Sequence, residues 1–323
     1  MQGLWNKGTF SNEVLLPHIK PINTRFVYKI KHTAEGAVEW YKTRLVARGF
    51  LQHELADFQR FSPVVGFDTI RTILAPTALR GWDMRMLDFT QAYLNAPLQE
   101  DVWLELPETN VVKAKKAIYG LKQSALQWYK ELRSTILADS WTSSASDECV
   151  YHCRSVDGRI AVLVTYVDDT FYTGDYDEEI QRMRTHLLDK YEGLDLRVPD
   201  KLLGIRNTTE EGGITLNQQP YAKNIVAEGM GSVGLRTAQM PLDPGKDLSP
   251  HEEHEEELDP SRFPYVTILG RLMFLAGMTR LDLLNSVREL GRRAASPCLR
   301  HWRGLQHALR YLCCDTQRLP TLP

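Results

Sequence analysis

The chain has 323 residues, 43% of them hydrophobic and 25% charged, a composition that predicts a globular protein with one large domain or two smaller ones. No apolar run approaches the roughly 20 residues of a membrane-spanning helix, and the N-terminus lacks the basic and apolar regions of a secretory signal. The formal net charge of −2 does not by itself indicate a nucleic-acid-binding protein.

The cysteines and the distribution of charge give further indications of the class of protein. The five cysteines match no zinc-binding spacing, since Cys149 and Cys153 lack a second pair, and this favours reduced thiols in an intracellular compartment. Residues 20–48 and 271–310 are rich in Lys and Arg, whereas the acidic run 251–259 between them is typical of a solvated loop. Scattered basic residues are equally compatible with an ordinary soluble surface.

The N-terminal half contains patterns of both strands and helices. Residues 25–32 and 37–48 alternate around the turn Ala34-Glu35-Gly36, which predicts a β-hairpin with a basic face. A helix is predicted over 68–80, and Pro76 should kink or end it. Strands are predicted over 83–89 and 102–106, with a helical turn directly after the first strand. A helix is predicted over 123–138.

The C-terminal half continues the mixture. We expect a strand over 159–167 that forms a hairpin with the β segment after it, a second hairpin over 201–218, and helices over 177–190 and 219–229. Residues 237–260 resemble a linker, and 263–280 with 281–313 should form two or three helices. This order predicts an α+β fold with a central antiparallel sheet.

Three carboxylates lie where predicted strands end. Asp88 closes one strand, and Asp168 and Asp169 form the tip of the predicted hairpin. If the two strands are neighbours, the carboxylates converge and repel one another unless a cation such as Mg²⁺ joins them. Two such ions about 3.5–4 Å apart can activate an attacking 3′-hydroxyl and stabilise a leaving pyrophosphate. The alternative is a simple Asp-Asp turn.

Six segments occur in the order found in copia-type reverse transcriptases, and the chain resembles that family from about Trp5 to Leu312. They are YKTRLVARGFLQ (41–52), FSPVV (61–65), LDFTQAYLNAPL (87–98), KAIYGLKQSALQWY (116–129), YVDD (166–169) and LGI (203–205). Residues 269–282 and 307–312 resemble the region that follows the polymerase. The resemblance implies a right-hand polymerase with fingers, a palm built on an antiparallel sheet, and thumb.

The resemblance also implies an activity and its partners. It implies an RNA-directed DNA polymerase that uses Mg²⁺ or Mn²⁺, an RNA template, a DNA or RNA primer and deoxynucleoside triphosphates. It implies no membrane association, and an intracellular location in a cytoplasmic particle or the nucleus. The oligomeric state is left open. The basic regions would then contact template and primer phosphates, an attraction that depends on salt and not on sequence.

Individual positions take roles from the same resemblance. Asp88, Asp168 and Asp169 match the catalytic, metal-binding carboxylates. Tyr93 matches the aromatic residue that would clash with a ribose 2′-hydroxyl, and its alternative is a core aromatic. Lys42 and Arg44 match residues that bind the triphosphate. The planar guanidinium of an arginine can donate two hydrogen bonds to phosphate oxygens, whereas a lysine acts as a point charge. An exposed hairpin face is their alternative.

The remaining matched positions concern the nucleotide and the nucleic acid. Gly120 matches a site where a small residue lets backbone approach the nucleotide. Lys122 and Gln123 beside it are candidates for lining the template. Leu203 and Gly204 match the hairpin that supports the primer end.

The expected organisation is a polymerase over residues 5–243, an acidic linker over 244–262, and a helical connection region over 263–323 that ends before a ribonuclease H. Departures from the family pattern, such as Leu281 where family members often have proline, suggest a polyprotein fragment or a decayed copy. Two rival hypotheses therefore stay open. One is a catalytically inactive remnant of the same fold, and the other is a nucleic-acid-binding module without chemistry.

Overall fold

A computed structural model describes most of the chain, in two compact units. The described residues are 1–15, 19–32, 38–52, 61–107, 110–196, 201–202, 205–210, 213–230, 237–245, 247–251, 255–256, 258–314 and 321–322. The first unit comprises Met1–Gly66 and Trp82–Val198, and the second comprises Phe67–Gly81 and Pro199–Pro323. No helix within the described ranges is both long enough and apolar enough to cross a membrane.

Helices and strands are numbered along the chain. The α-helices are α1 (Gln2–Asn6), α2 (Phe67–Arg80), α3 (Ser124–Ala138), α4 (Asp177–Lys190), α5 (Gln219–Met230), α6 (Tyr265–Met278), α7 (Leu284–Gly291) and α8 (Leu299–Cys314). Short 3-10 turns cover Gly49–Leu51, Ala92–Asn95 and Leu281–Leu283. The strands are β1 (Phe10–Ser11), β2 (Ile22–His32), β3 (Val38–Ala47), β4 (Met84–Phe89), β5 (Pro97–Glu105), β6 (Val111–Lys116), β7 (Thr142–Ser143), β8 (Val150–Arg154), β9 (Ile160–Tyr166), β10 (Asp169–Gly174), β11 (Gly193–Asp195), β12 (Lys201–Leu202), β13 (Ile205–Glu210), β14 (Gly213–Asn217) and β15 (Thr321–Leu322).

The described part of the first unit contains two sheets. One has the strand order β1-β6-β5-β2-β3, and the other has the order β11-β4-β10-β9-β8-β7. All neighbours are antiparallel except β2 and β5, which pair in parallel only at Ile22–Leu104 and Asn23–Glu105. Most of the β2–β3 hairpin therefore extends beyond the other strands of its sheet. The mixed sheets and helices confirm an α+β fold.

Aromatic side chains fix the six-stranded sheet against α3. Phe89 on β4 meets the ring of Trp128 at 5.4 Å and that of Tyr191 at 5.8 Å, both edge to face. Trp128 is 1% exposed, and its indole N–H donates a 2.7 Å hydrogen bond to the carbonyl of Val167. Because a buried ring of this size contributes several kcal/mol when packed, this cluster holds the tip of the β9–β10 hairpin beside the end of β4.

The second unit has a separate core. Its helices α5 to α8 bury an apolar cluster that includes Ile268, Leu272 and Leu309, and its described strands form a sheet in the order β12-β13-β14-β15. Parts of the segment predicted as an acidic linker dock on α8: the guanidinium of Arg300 lies 2.9 Å from Glu255 and 3.4 Å from Asp247. These parts are held by ion pairs, whereas a solvated loop was expected.

Most of the predicted elements are present. The hairpins β2–β3, β9–β10 and β13–β14 and the helices α3, α4 and α5 form where the sequence predicts them, and the C-terminal region forms three helices. The helix α2 also forms where it is predicted and continues through Pro76 to Arg80, so Pro76 does not end it. The Thr77 hydroxyl donates to the Ile73 carbonyl at 2.8 Å, and burial of Leu74 anchors the same stretch.

Candidate active site

The register of two strands brings the predicted carboxylates together. β10 pairs with β4 so that Asp169 lies directly opposite Asp88, and Asp168 precedes Asp169 in the hairpin turn. The β9–β10 pairing joins Tyr166 to Asp169, so Val167 and Asp168 form a two-residue turn. Val167 has a φ of 55°, a left-handed conformation that β-branched residues rarely adopt. The acidic residues therefore sit on a tightly constrained turn.

Burial and mutual repulsion perturb the carboxyl groups. Burial first, and the charge of Asp88 second, raise the pKa of Asp168, while Arg44, Lys42 and the Tyr119 hydroxyl act to lower it. Burial, Asp88 and Asp168 raise the pKa of Asp169 to about 6. Like charges held close together favour the protonated form of one another, so the site concentrates negative charge.

The chemistry of these side chains suits a divalent cation. Mg²⁺ and Mn²⁺ take carboxylate oxygens, and Oδ1 of Asp168 is buried without a hydrogen-bond partner in the structure. Among the described residues, however, no three Asp, Glu, His or Cys side chains are grouped closely enough to hold one ion. The donor set fits such a cation, but the three carboxylates are not assembled into a ligand cage.

A cavity of about 740 Å³ opens beside these carboxylates within the first unit. Asp88 and Asp168 line it, together with Lys42 and Arg44 of β3 and with Tyr119. Two predicted triphosphate ligands and two predicted metal ligands therefore share one cavity. Its size is typical of a small-molecule site. Because its lining carries both cationic and anionic side chains, it suits a ligand that contains phosphate groups and a bound metal ion.

Tyr93 contacts one of the lining residues. Its ring packs against that of Tyr119 with centroids 4.7 Å apart, and both burial and the Asp168 charge raise the pKa of its hydroxyl. The 3-10 turn Ala92–Asn95 places it, following Gln91 in a left-handed conformation with a φ of 54°. Tyr93 is thus close to the carboxylates, as its predicted role requires.

Other predicted residues do not line the cavity. A Cβ at Gly120, whose φ is +92°, would collide with the carbonyl of Ala47, so glycine is needed there for backbone packing. Gln123 is 1% exposed, and its side chain accepts a 3.0 Å hydrogen bond from Gln52. Lys122 donates to the Gln52 side chain and carbonyl at 2.8 and 3.0 Å. Contacts of Gly120 with a nucleotide and of the other two with a template stay predictions.

The primer-end residues Leu203 and Gly204 lie outside the described residues. Conversely, the sequence analysis missed Tyr119 and the N-terminal segment. Lys7 lines the cavity and forms a 2.7 Å ion pair with Glu192, beside the strand that pairs with β4. The only sequence signal for Tyr119 was its place next to Gly120, whereas nothing in the pattern of residues 1–9 pointed to the cavity.

Known proteins resemble this chain over most of its length. Residues 11–243 match the family described as reverse transcriptase (RNA-dependent DNA polymerase). The chain is 30% identical, over 97% of its length, to the retrovirus-related Pol polyprotein from transposon TNT 1-94 of Nicotiana tabacum. It is also 30% identical, over 91% of its length, to the corresponding polyprotein from transposon RE1 of Arabidopsis thaliana.

A more distant relative is the transposon Ty1-BL Gag-Pol polyprotein of Saccharomyces cerevisiae, 24% identical over 91% of the chain. The chain spans only 24%, 20% and 17% of these three polyproteins, respectively. The match covers all the residues that form the cavity from Phe26 to Leu194. The chain therefore belongs to the reverse transcriptase family carried by the Pol polyproteins of copia-type retrotransposons.

Proposed function

We propose that this chain is an RNA-directed DNA polymerase that adds deoxynucleotides to a primer 3′-hydroxyl by two-metal nucleotidyl transfer. The observation that carries the proposal is the pairing of Asp88 with Asp169, next to Asp168. Asp88 and Asp168 line a cavity that Lys42 and Arg44 also line. A cluster of carboxylates alone would repel a nucleic acid. The cationic side chains in the same cavity attract a negatively charged substrate.

Each group has a distinct task in this proposal. Asp88, Asp168 and Asp169 would hold Mg²⁺ or Mn²⁺, which supplies charge to lower the pKa of the primer hydroxyl and to stabilise the leaving pyrophosphate. Arg44 binds phosphate oxygens through its planar fork, and Lys42 adds a point charge. Tyr93 excludes a ribose 2′-hydroxyl by steric contact, so that deoxynucleotides are selected.

The proposed architecture follows from the same assignment. The five-stranded sheet with its projecting β2–β3 hairpin would serve as fingers, and the six-stranded sheet as palm. The helices of the second unit would provide thumb and connection. An RNA template and its primer would be held mainly through phosphate contacts from Lys and Arg side chains, and such binding weakens as salt rises.

The test is paired binding and extension with the whole chain. Filter binding with an RNA template and DNA primer measures affinity, and incorporation of thymidine triphosphate on poly(rA)–oligo(dT) in Mg²⁺ measures chemistry. The proposal predicts binding and metal-dependent extension. Binding without extension identifies the inactive remnant or a non-catalytic binding module, and absence of both removes the nucleic-acid assignment for this chain.

A further inference from the structure

The Tyr119 ring contacts both Arg44 and Tyr93 beside the cavity. The guanidinium carbon of Arg44 lies 4.9 Å from the centre of the Tyr119 ring, a cation–π distance. The Tyr93 ring lies 4.7 Å from the same ring, with 52° between the two ring planes. Tyr119 thus connects the proposed phosphate ligand with the proposed sugar gate.

The backbone of Tyr119 is joined to the strand that carries Arg44. The Ala47 amide donates a 2.8 Å hydrogen bond to the Tyr119 carbonyl, at the end of β3. Gly120 approaches the Ala47 carbonyl so closely that no Cβ fits, and Gly49 approaches the Gly120 carbonyl in the same way. The ring and the guanidinium are therefore fixed relative to each other by direct backbone contact.

Buried hydrogen bonds fix the other end of this loop. Gln52 donates from its amide to Gln123 at 3.0 Å and accepts from the Lys122 amide at 2.8 Å. The Lys122 ammonium donates to the Gln52 carbonyl at 3.0 Å. Residues that the sequence suggested as template ligands thus tie the loop 119–123 to the turn that follows β3.

Electrostatics explains why Arg44 needs such a support. Asp168 and Arg44 line the same cavity, so the guanidinium is attracted toward the proposed metal ligands. An ion pair there would occupy carboxylate oxygens and remove Arg44 from the position of the phosphates. The face of the Tyr119 ring offers the guanidinium a competing site away from the carboxylate oxygens.

We propose that Tyr119 is a positioning residue that holds the Arg44 guanidinium for the triphosphate of the incoming nucleotide, with residues 120–123 acting as its support. The inference rests on the proposed polymerase function. It assigns the loop a role in nucleotide affinity that acts through Arg44, in place of direct contact with the template.

The test is a double-mutant cycle on nucleotide binding. The whole chain, bound to poly(rA)–oligo(dT) in Ca²⁺ to prevent chemistry, is titrated with thymidine triphosphate to give Kd. The proteins are wild type, Tyr119→Leu, Arg44→Ala and the combined variant, with Tyr119→Phe as the conservative replacement. Tyr28→Leu is the matched control, because Tyr28 is 74% exposed on β2 and does not line the cavity.

We expect Tyr119→Leu to raise Kd by roughly 3- to 30-fold, the range of a cation–π contact. Tyr119→Phe keeps the ring and should raise Kd less than Tyr119→Leu does, while Tyr28→Leu stays near wild type. With Arg44→Ala present, adding Tyr119→Leu should change Kd by less than about 2-fold, because the two changes remove one interaction. Full additivity of the two changes overturns the inference and leaves the proposed function standing. Lack of any nucleotide binding by the wild type overturns both.

Discussion

Asp88 and Asp169 face each other across two neighbouring antiparallel strands, at the point where β4 ends and β10 begins. Side chains of directly opposed residues lie about 4.5–5.5 Å apart at Cβ, and like charges in this arrangement destabilise a sheet. The fold tolerates this repulsion at the edge of a charged cavity. A functional demand for acidic oxygens explains its presence better than a structural one.

The first prediction follows from that repulsion. Asp88→Asn removes one of the two charges and should raise the free energy of unfolding by about 0.5–1 kcal/mol at pH 7.5. Thermal unfolding in metal-free buffer measures the effect. Asp195→Asn is the control, because Asp195 accepts a 3.2 Å hydrogen bond from Arg184 and its loss should not stabilise. Equal destabilisation by both changes would contradict the account.

The second prediction concerns the sugar gate. Tyr93→Ala should reduce discrimination against ribonucleoside triphosphates, because the steric block is gone, whereas Tyr93→Phe should retain it. The ratio of kcat/KM for deoxy- and ribonucleotides on one template measures selectivity. Unchanged selectivity in the alanine variant would leave Tyr93 as a packing partner of Tyr119.

The third prediction separates steric clash from backbone strain. Gly120 and Gly158 have φ values of +92° and +91°, but an added Cβ meets the Ala47 carbonyl at Gly120 and nothing within 4 Å at Gly158. Gly158→Ala should cost about 1 kcal/mol of unfolding free energy, and Gly120→Ala clearly more, about 2–4 kcal/mol. Urea unfolding compares the two. Similar costs would mean that the loop is not tied to β3.

Sequence patterns predicted the elements that carry strong periodicity. The helix α4 has the predicted bounds because its apolar positions repeat at helical spacing, and the β9–β10 hairpin is flanked by long apolar runs. β6 was missed, because three lysines dilute its alternation and only Val112 and Ala114 are buried. Its identity as a strand comes from pairing with β5.

The site could be predicted only in part, because some of its residues take their roles from contacts with distant parts of the chain. Asp88, Asp168 and Asp169 are recognisable because they lie at or beside the ends of predicted strands, a local property. The role of Tyr119 depends on its contact with Ala47 and Arg44, which lie far away in the chain. Gln123 is polar in sequence but 1% exposed in the fold, and residue type alone does not predict this burial.

The fourth prediction concerns pH and the second unit. Burial lowers the pKa of His301 below its usual 6.5, and the hydrogen bond to the Ser249 carbonyl only partly opposes this. Since the unfolded chain binds the proton more readily, the free energy of unfolding should fall as pH decreases below about 6.5. In the His301→Gln variant, the free energy of unfolding should fall less between pH 7.5 and 5.5 than it does in the wild type.

The control for this prediction is a histidine on the protein surface. His186 is exposed on α4, so His186→Gln should leave the pH profile as in the wild type. Thermal unfolding at intervals of pH measures both variants. A wild-type profile for His301→Gln would show that other groups control the acid sensitivity.

The most direct test of the central claim is metal-dependent primer extension by wild type and Asp168→Asn, measured together with template–primer binding. Asn keeps the size of Asp168 but removes its charge from the proposed metal site. The account predicts that both proteins bind with similar affinity, since binding rests on Lys and Arg contacts to phosphate. It also predicts that the wild type extends an RNA-templated primer in Mg²⁺, while extension by the variant falls by orders of magnitude. A variant that binds and extends as fast as the wild type would contradict the assignment of Asp168, and a wild type that binds without extending would contradict the proposed polymerase.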